Sequence, residues 1–342
     1  KSVVPYFDRS EVGFVQAPQD HDDWRADTFK EMMNWEYAGF FQIGMVQRNE
    51  QDAIIQHGTM TLMRKTAMER AGGWAEWCIC EDAEMGLRLL ANGWRSIYLD
   101  RRFGYGLTPD SFTAYKSQRF RWAYGAVQIL KRHWREMLPG SGRRLNPMQR
   151  YHFITGWMPW FADALGLVFA VASLAWTLGV LFIPRYFEFP LTLFVVPPLV
   201  VFAAKVAQFL WLYKLRVRCN LRQRLGAGLA GLSLTYTIGR AVLAGLIGDR
   251  MPFVRTPKQE GEPALMRAVG MARAETLLAV FLWLAAAAVA RVYGGDDPEA
   301  LIWVAVMAVQ SLPFAAAPAM ALINALPALR RHGAAGVVAG VP

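Results

Sequence analysis

The sequence predicts an α/β catalytic domain followed by an α-helical transmembrane domain. Its 342 residues are 54% hydrophobic and have a positive mean hydropathy, which is unusual for a soluble enzyme. The apolar runs that are long enough to cross a bilayer all lie in the second half, whereas the first 138 residues mix short strands, helices and polar motifs. The formal net charge of +10 is concentrated around the apolar runs. This distribution indicates cytoplasmic loops that contact lipid headgroups, rather than a surface that binds nucleic acid.

Local signals predict the elements of the first domain. A short buried strand in residues 12–19 ends at a proline. A helix covers residues 82–92, stops at Gly93 and is followed by a strand at 94–99. A second helix is predicted over 111–134, because its first fourteen residues contain neither Gly nor Pro. A stripe of Met and aromatic side chains in residues 27–49 is interpreted as packing.

Two short motifs in these helices carry the chemistry of a candidate site. Glu81 and Asp82 open the first helix, so their carboxylates lie close to its N-terminus. In the second helix, Gln118, Arg121 and Trp122 have the spacing i, i+3, i+4 and share one face. A guanidinium binds phosphate bidentately, and an indole stacks on the C–H face of a sugar. These are the parts of a glycosyl transfer site, although a helix cap alone would also explain the two carboxylates.

The motifs resemble those of the family-2 membrane glycosyltransferases, the processive inverting synthases such as cellulose and hyaluronan synthases. The nearest resemblance is to the bacterial β-1,3 and cyclic β-glucan synthases. The segments that carry it are QHGTMT (56–61), GGWAEW (72–77), CED (80–82) and QRFRWAYG (118–125). The resemblance implies the C-terminal part of a GT-A-type catalytic domain and the transfer of glucose from UDP-glucose to a growing β-glucan chain.

The resemblance also implies roles for single residues. Asp82 is the expected catalytic base, since inverting transfer needs one group to take the proton of the acceptor hydroxyl. The expected donor-binding residues are Gln118, Arg119, Arg121, Thr256 and Lys258. The expected acceptor-binding residues are Trp122, Glu81, His57 and Gly58. For His57, a catalytic base and a structural histidine remain alternatives.

Residues 253–258, with the sequence FVRTPK, resemble the gating loop of the cellulose synthases. The resemblance implies that Phe253, Arg255, Thr256 and Lys258 form a mobile loop that closes over the donor diphosphate. Arg255 stands where that loop has Val. The alternative is an ordinary cytoplasmic loop with a Thr-Pro turn.

The resemblance implies Mg²⁺ or Mn²⁺ bound with UDP. In the family the metal ligands precede the strand found here at residues 12–19, so we expect this chain to be a fragment without that N-terminal half. Within the chain, the run from Asp20 to Asp23 holds three carboxylates and an imidazole, but no second ligand cluster supports it. We therefore interpret it as a solvated turn and predict no metal ligand in this chain.

The apolar runs divide the second half. The predicted order is a catalytic domain (1–138), a linker and interfacial helix (139–160), two transmembrane helices (161–213), interfacial helices with the gating loop (214–262) and two further transmembrane helices (263–330). The Gly-rich run at 226–248 is assigned to the interface or to a re-entrant segment. Cations recur through 214–273, whereas the connector at 294–299 is acidic. The positive-inside rule then places the catalytic domain in the cytoplasm. The resemblance to bacterial synthases implies that the membrane is a bacterial inner membrane.

The hypothesis is a processive inverting β-glucan synthase whose partners are UDP-glucose, the growing glucan and membrane lipids, with no nucleic acid. A single-transfer glycosyltransferase with a lipid acceptor is the main alternative. It would need neither Trp122 nor the gating loop. A non-catalytic channel or anchoring subunit is the alternative from a different class.

Overall fold

The computed structural model describes residues 2–138, 145–190, 192–248 and 264–338. Within these ranges a small sheet and short helices come first, and long apolar helices follow. The strands are β1 (Val12–Gln16), β2 (Thr61–Met63) and β3 (Arg95–Tyr98). The first helices are α1 (Thr28–Gly39), α2 (Val46–Glu50), α3 (Lys65–Arg70), α4 (Glu81–Ala91) and α5 (Phe112–His133). The later helices are α6 (Pro147–Phe182), α7 (Thr192–Arg216), α8 (Leu221–Leu232), α9 (Thr235–Ile247), α10 (Ala264–Met271), α11 (Arg273–Tyr293) and α12 (Pro298–Val338).

The sheet is mixed and centred on β1. This strand pairs in parallel with β3 and antiparallel with β2, in the order β2-β1-β3. All five residues of β1 are buried, as expected of a central strand covered on both faces. The positions of β1 and β3 confirm the two predicted strands.

The two helices that carry the predicted motifs form where the sequence predicts them. Helix α4 ends before Gly93, whose φ of +84° is a conformation that residues with a Cβ rarely adopt. Helix α5 begins after Ser111, whose side chain accepts a hydrogen bond from the backbone three residues later. A Cβ at Gly125 would lie 2.5 Å from Sγ of Cys80. Gly125 therefore allows the N-terminus of α4 to pack directly against the middle of α5.

Buried charges tie α4 to the C-terminal end of α5. Glu84 is buried and accepts hydrogen bonds from Arg88 at 2.7 Å and from His133 at 2.9 Å. Nδ1 of His133 lies 3.0 Å from the carboxylate of Glu136. Burial acts to lower the pKa of His133, but the two carboxylates outweigh it and raise that pKa to about 9. The ring is therefore a cation at neutral pH.

This cation predicts a pH-dependent stability. The pKa of His133 is about 9 in the folded protein and about 6.5 in an unfolded chain, so its contribution is complete below about pH 6.5 and is lost as the pH rises through about 9. We expect the thermal unfolding midpoint to fall between pH 7 and pH 10, and to fall less in His133→Gln, which cannot titrate. The loss is on the order of 2 kcal/mol. An equal fall in both proteins would contradict this role.

Five segments of the described chain are long and apolar enough to cross a membrane. They are Pro147–Phe182, Val195–Arg216, Leu221–Ile247, Arg273–Tyr293 and Pro298–Pro327. Four of them contain or overlap the two pairs of transmembrane helices predicted at 161–213 and 263–330. The five helical segments indicate a multi-pass membrane protein.

The first of these helices begins well before the predicted span. Asn146 and Gln149 form a capping box at the start of α6, which continues through Pro159 without a break. Its 36 residues reach about 54 Å, whereas the hydrocarbon core is about 30 Å thick. The first turns of α6, in the region predicted as a linker and interfacial helix, contact the first domain, where Gln149 donates to the carbonyl of Asp52 at 2.7 Å.

The segment predicted as interfacial or re-entrant forms two helices. A break at Ser233 and Leu234 separates α8 from α9, and the Ser233 hydroxyl donates to the carbonyl of Ala230 at 2.7 Å. With 12 and 13 residues, each helix is about 20 Å long and shorter than the hydrocarbon core. Together they make up the candidate span Leu221–Ile247. Their placement relative to the bilayer stays a prediction.

Helix α9 connects the membrane helices to the first domain, since it packs against both α5 and α6. A Cβ at Gly245 would lie 2.9 Å from Cβ of Val127, so α9 and α5 are in close contact. Lys131 on α5 donates to the carbonyls of Gly245 and Gly248 at 3.3 and 3.4 Å, which satisfies the C-terminal end of α9. Helix α5 thus lies directly on the apolar region.

Candidate active site

Asp82 lies in the first turn of α4 with its carboxylate held by two backbone amides. Gly58 N–H donates to Oδ2 at 2.6 Å, and Ala83 N–H donates to Oδ1 at 2.8 Å. These bonds fix the direction of the carboxylate and leave lone pairs on both oxygens. Asp82 is half-buried at the edge of a cavity, so it can accept a proton from a hydroxyl that enters there.

A buried glutamine positions the loop that contacts Asp82. The Oε1 atom of Gln16, at the end of β1, accepts hydrogen bonds from His57 N–H at 2.9 Å and from the Thr61 hydroxyl at 2.6 Å. Its Nε2 donates to the carbonyl of Thr59 at 3.0 Å. The central strand thereby fixes residues 57–61, and with them the amide of Gly58 that orients Asp82.

The ring of His57 packs among aromatic side chains. Its centroid lies 4.9 Å from Phe40 and 5.4 Å from Phe41, both in the π-helical turn Phe40–Met45. Nδ1 lies 2.9 Å from the carbonyl of Ile55, which can only accept, so this nitrogen carries the proton. Burial lowers the pKa of His57, although the charge of Asp82 acts in the opposite direction. His57 is therefore neutral at pH 7 and presents Nε2 as an acceptor.

Trp122 stands beside this ring on α5. Its centroid lies 5.6 Å from Tyr37 and 6.5 Å from His57. The guanidinium of Arg119 lies over the Trp122 ring at 4.4 Å. These contacts hold the indole in one orientation, as a stacking platform requires.

The structure brings four of the predicted site residues to one cavity of about 290 Å³. They are His57, Asp82, Arg119 and Trp122. The cavity continues past Trp157, Trp160 and Asp163 of α6 to residues of α8 and α9. One end therefore lies at the carboxylate of α4, and the other lies among helices of the candidate membrane region.

Arg119 is placed differently from the other predicted donor-binding residues. It is buried and forms a salt bridge with Glu36 of α1, and the Tyr115 hydroxyl donates to the same carboxylate at 2.9 Å. The guanidinium also lies 5.1 Å from the ring centroids of Tyr37 and Tyr115. In this arrangement Arg119 supports the wall of the cavity and the Trp122 platform.

The remaining predicted residues lie elsewhere. Glu81 is exposed, and Gln118 and Arg121 are half-buried; none of the three lines the cavity. Nη1 of Arg121 lies 3.1 Å from the Ser117 hydroxyl, one turn earlier on α5. Phe253, Arg255, Thr256 and Lys258 of the expected gating loop lie outside the described residues.

Sequence reasoning missed most of the cavity wall, including three residues of the stripe at 27–49. Glu36, Tyr37 and Phe40 line the cavity, although the Met and aromatic stripe at 27–49 was interpreted as packing. That interpretation holds for Phe29 and Met33, which are buried in the core. The one local signal for the wall was a carboxylate, Glu36, inside an otherwise aromatic run.

The run from Asp20 to Asp23 is engaged in separate interactions. Asp20 pairs with Arg102 at 2.8 Å, and Asp23 pairs with Lys30 at 2.5 Å. Nδ1 of His21 lies 3.1 Å from the side-chain oxygen of Asn34. Among the residues that the structure describes, no three His, Cys, Asp or Glu side chains come together as a metal site.

Curated proteins with similar sequences cover part of this chain. The chain is 29% identical over 170 residues to the UDP-forming cellulose synthase catalytic subunit of Komagataeibacter sucrofermentans, which covers 48% of this chain and 22% of the relative. It is 29% identical over 172 residues to the cellulose synthase 1 catalytic subunit of Komagataeibacter xylinus, with the same coverage. Cellulose synthase 1 of Novacetimonas hansenii is 28% identical over 170 residues, which are 48% of this chain and 11% of that protein.

The chain thus matches about a fifth or less of the length of these curated relatives. The small mixed sheet followed by apolar helices fits a GT-A-type domain with a helical membrane region. The profile of the glycosyl transferase family group 2 matches residues 2–206, which is more than half of the chain. The protein therefore belongs to the glycosyl transferase family group 2.

Proposed function

We propose that this chain is part of a processive inverting β-glucan synthase that transfers glucose from UDP-glucose to a growing polysaccharide. The observation that carries the proposal is the cavity, because it joins the carboxylate of Asp82 and the ring of Trp122 to the candidate membrane helices. The product is a β-1,3-glucan or a cyclic glucan with β-1,6 linkages, according to the motif resemblance. The names of the cellulose synthase relatives support a UDP-forming reaction.

In the proposed reaction Asp82 is the base. The acceptor hydroxyl attacks C1 of the donor sugar, the bond between C1 and the diphosphate oxygen breaks, and Asp82 takes the hydroxyl proton. One carboxylate is sufficient, because attack from the face opposite the diphosphate needs no second nucleophile. The amides of Gly58 and Ala83 keep the carboxylate directed at the acceptor.

The acceptor end of the glucan stacks on Trp122 in this proposal. The neutral His57 accepts a hydrogen bond from a sugar hydroxyl through Nε2. The aromatic rings of Trp157 and Trp160 continue the cavity towards α8 and α9, which supports passage of the polymer through the membrane helices. The catalytic domain then faces the cytoplasm of a bacterium whose inner membrane holds the chain.

The described residues of this chain do not account for the divalent metal of the reaction. Members of the family generally use such a metal with the nucleotide sugar. Asp20 and Asp23 are paired with Arg102 and Lys30, and no three His, Cys, Asp or Glu side chains come together as a metal site in the described part of the chain. We therefore derive no step through the metal.

Arg121 is proposed to bind the donor diphosphate, and its replacement tests that role. We expect Arg121→Ala to weaken UDP binding and slow transfer by about tenfold, since a charge-assisted bond to phosphate contributes roughly 1.5–3 kcal/mol. UDP titration of the purified enzyme measures the first effect and labelled glucose transfer the second. Arg135→Ala is the matched control, because Arg135 is exposed just beyond α5. Equal effects of both changes would mean that this region is merely basic.

Incorporation of labelled glucose from UDP-glucose, followed by sizing of the product, tests the function itself. Long chains that a β-1,3-glucanase digests would support the proposal, whereas one sugar on a lipid would support the single-transfer alternative.

The same assay tests the proposed gate. Replacing Thr256 and Lys258 together by Ala should slow transfer at least tenfold, because the lost contacts form in the closed state. Wild-type rates in the double variant would remove the gate.

A further inference from the structure

A second cleft, of about 670 Å³, opens on the surface beside the start of α4 and the end of α5. No residue that lines this cleft also lines the catalytic cavity. Two exposed tryptophans stand in its wall, since Trp74 is 44% and Trp77 is 42% exposed, and the guanidinium of Arg132 lies 5.9 Å from the ring centroid of Trp77. Large apolar rings held in water are typical of binding surfaces rather than of a domain core.

The backbone that carries these rings is anchored. Arg88 donates through Nη1 to the carbonyl of Ala71 and through Nη2 to that of Gly73, the latter at 2.6 Å. Gln128 of α5 donates to the carbonyl of Trp77 at 3.2 Å and accepts from Ile79 N–H at 3.1 Å. The loop before α4 therefore presents both rings in a prearranged position, which reduces the entropy lost when a ligand binds.

The charges around the cleft balance. Three carboxylates and three cations line it: Glu76, Glu84, Glu136, Arg88, Arg132 and His133. His133 counts as a cation because its pKa is about 9. Because these charges cancel, an anionic ligand such as a nucleotide would gain no net electrostatic attraction in the cleft. A neutral ligand needs no such attraction.

These features fit a sugar chain. Exposed indole rings stack on the C–H faces of sugars, and exposed charged groups at the rim, here Glu76 and Arg132, bond to hydroxyls. A planar membrane surface fits less well, because the site is concave and the exposed carboxylates of Glu76 and Glu81 would repel anionic headgroups.

We propose that the cleft between Trp74 and Trp77 is an accessory binding site for a neutral β-glucan segment, separate from the catalytic cavity. The choice of glucan rests on the proposed function. Trp77 in the cleft and Asp82 in the cavity are only five positions apart along the chain, and Cys80 between them packs against α5. A glucan in the cleft is therefore retained close to the transfer site without occupying it.

Fluorine NMR of the full-length enzyme in lipid nanodiscs, with 5-fluorotryptophan incorporated, tests the site directly. Phenylalanine substitution of each tryptophan assigns its resonance, and laminarihexaose is the probe. We expect the resonances of Trp74 and Trp77 to shift along one saturable curve. Trp134, which is 50% exposed but outside the cleft, is the matched control and should not shift.

A second measurement uses affinity. The Trp74→Ala, Trp77→Ala double variant should lose about five- to hundredfold in affinity for laminarihexaose at this site, because two stacking contacts of roughly 0.5–1.5 kcal/mol each are removed. Trp134→Ala should retain the wild-type affinity. Unshifted resonances of Trp74 and Trp77 would overturn the proposal. A response to anionic lipid in the nanodisc in place of the sugar would also overturn it and identify a membrane contact.

Labelled glucose transfer, measured on the same samples, separates this proposal from the proposed function. Polymer synthesis without sugar binding in the cleft would refute the accessory site alone. Binding of laminarihexaose in the cleft by an enzyme that makes no polymer would refute the function and retain the site.

Discussion

Replacing Asp82 by Asn in the full-length enzyme is expected to lower polymer synthesis by about 10²–10⁴-fold, the range typical for loss of a general base. Asparagine keeps the size of the side chain and one oxygen, so the bond from Gly58 N–H can persist while the proton acceptor is lost. UDP binding should stay within a few-fold of wild type, because in the proposed reaction the carboxylate contacts the acceptor rather than the nucleotide. The loss should therefore appear in the rate at saturating donor.

The neighbouring carboxylate provides the comparison. Glu81 is adjacent in sequence but exposed and outside the cavity wall. Glu81→Gln should thus cost far less than Asp82→Asn in the same labelled glucose assay. Comparable losses from both changes, or near-normal synthesis by Asp82→Asn, would refute Asp82 as the base.

Replacing Glu36 by Ala should destabilise the protein by about 3–5 kcal/mol, because it leaves the guanidinium of Arg119 buried without a carboxylate. The side chains of Arg119 and Glu36 are only 7% and 24% exposed, so water compensates poorly for the lost charge. Transfer should also slow, since Arg119 supports the Trp122 ring from 4.4 Å. The thermal unfolding midpoint in detergent or nanodiscs measures the first effect.

An exposed ion pair is the control for this change. Lys65 and Glu69 are 3.8 Å apart on α3, with side chains 87% and 58% exposed, and such pairs contribute about 0–1 kcal/mol. Lys65→Ala should therefore leave the midpoint nearly unchanged. A double variant in which Leu replaces Glu36 and Met replaces Arg119 should recover much of the stability, because no charge remains buried. An equal loss in the single and double variants would point to packing rather than charge.

Local signals were sufficient for the elements that carry the site. The stop at Gly93 and the absence of Gly and Pro from 111–124 are short-range features, and the structure confirms the helices that they predict. The apolar runs likewise predicted four of the five candidate spans, because length and hydropathy are properties of a single segment. The run at 221–247 was harder to interpret, since its Gly and hydroxyl residues reduce the hydropathy that would mark a span.

The arrangement of α5 within the fold could not be predicted in the same way. Spacing shows which side chains share a helical face, but not which face meets the cavity. Arg119 and Trp122, three residues apart, face it together, because Glu36 holds Arg119 from a helix 83 residues earlier in the chain. Tyr37 and Phe40 line the cavity for the same long-range reason. The stripe at 27–49 contributes residues to both the core and the cavity. Nothing in the local sequence distinguishes the residues of one group from those of the other.

In the proposed function one cavity holds the growing glucan between Asp82, Trp122 and the candidate membrane helices. A structure of the full-length enzyme in a lipid bilayer, determined after incubation with UDP-glucose, measures this most directly. We expect carbohydrate density with its terminal sugar stacked on Trp122. A hydroxyl of that sugar should lie within about 3 Å of the Asp82 carboxylate, and the following sugars should pass Trp157 and Trp160. A glucan that enters elsewhere, or a cavity occupied by lipid with one attached sugar, would contradict it.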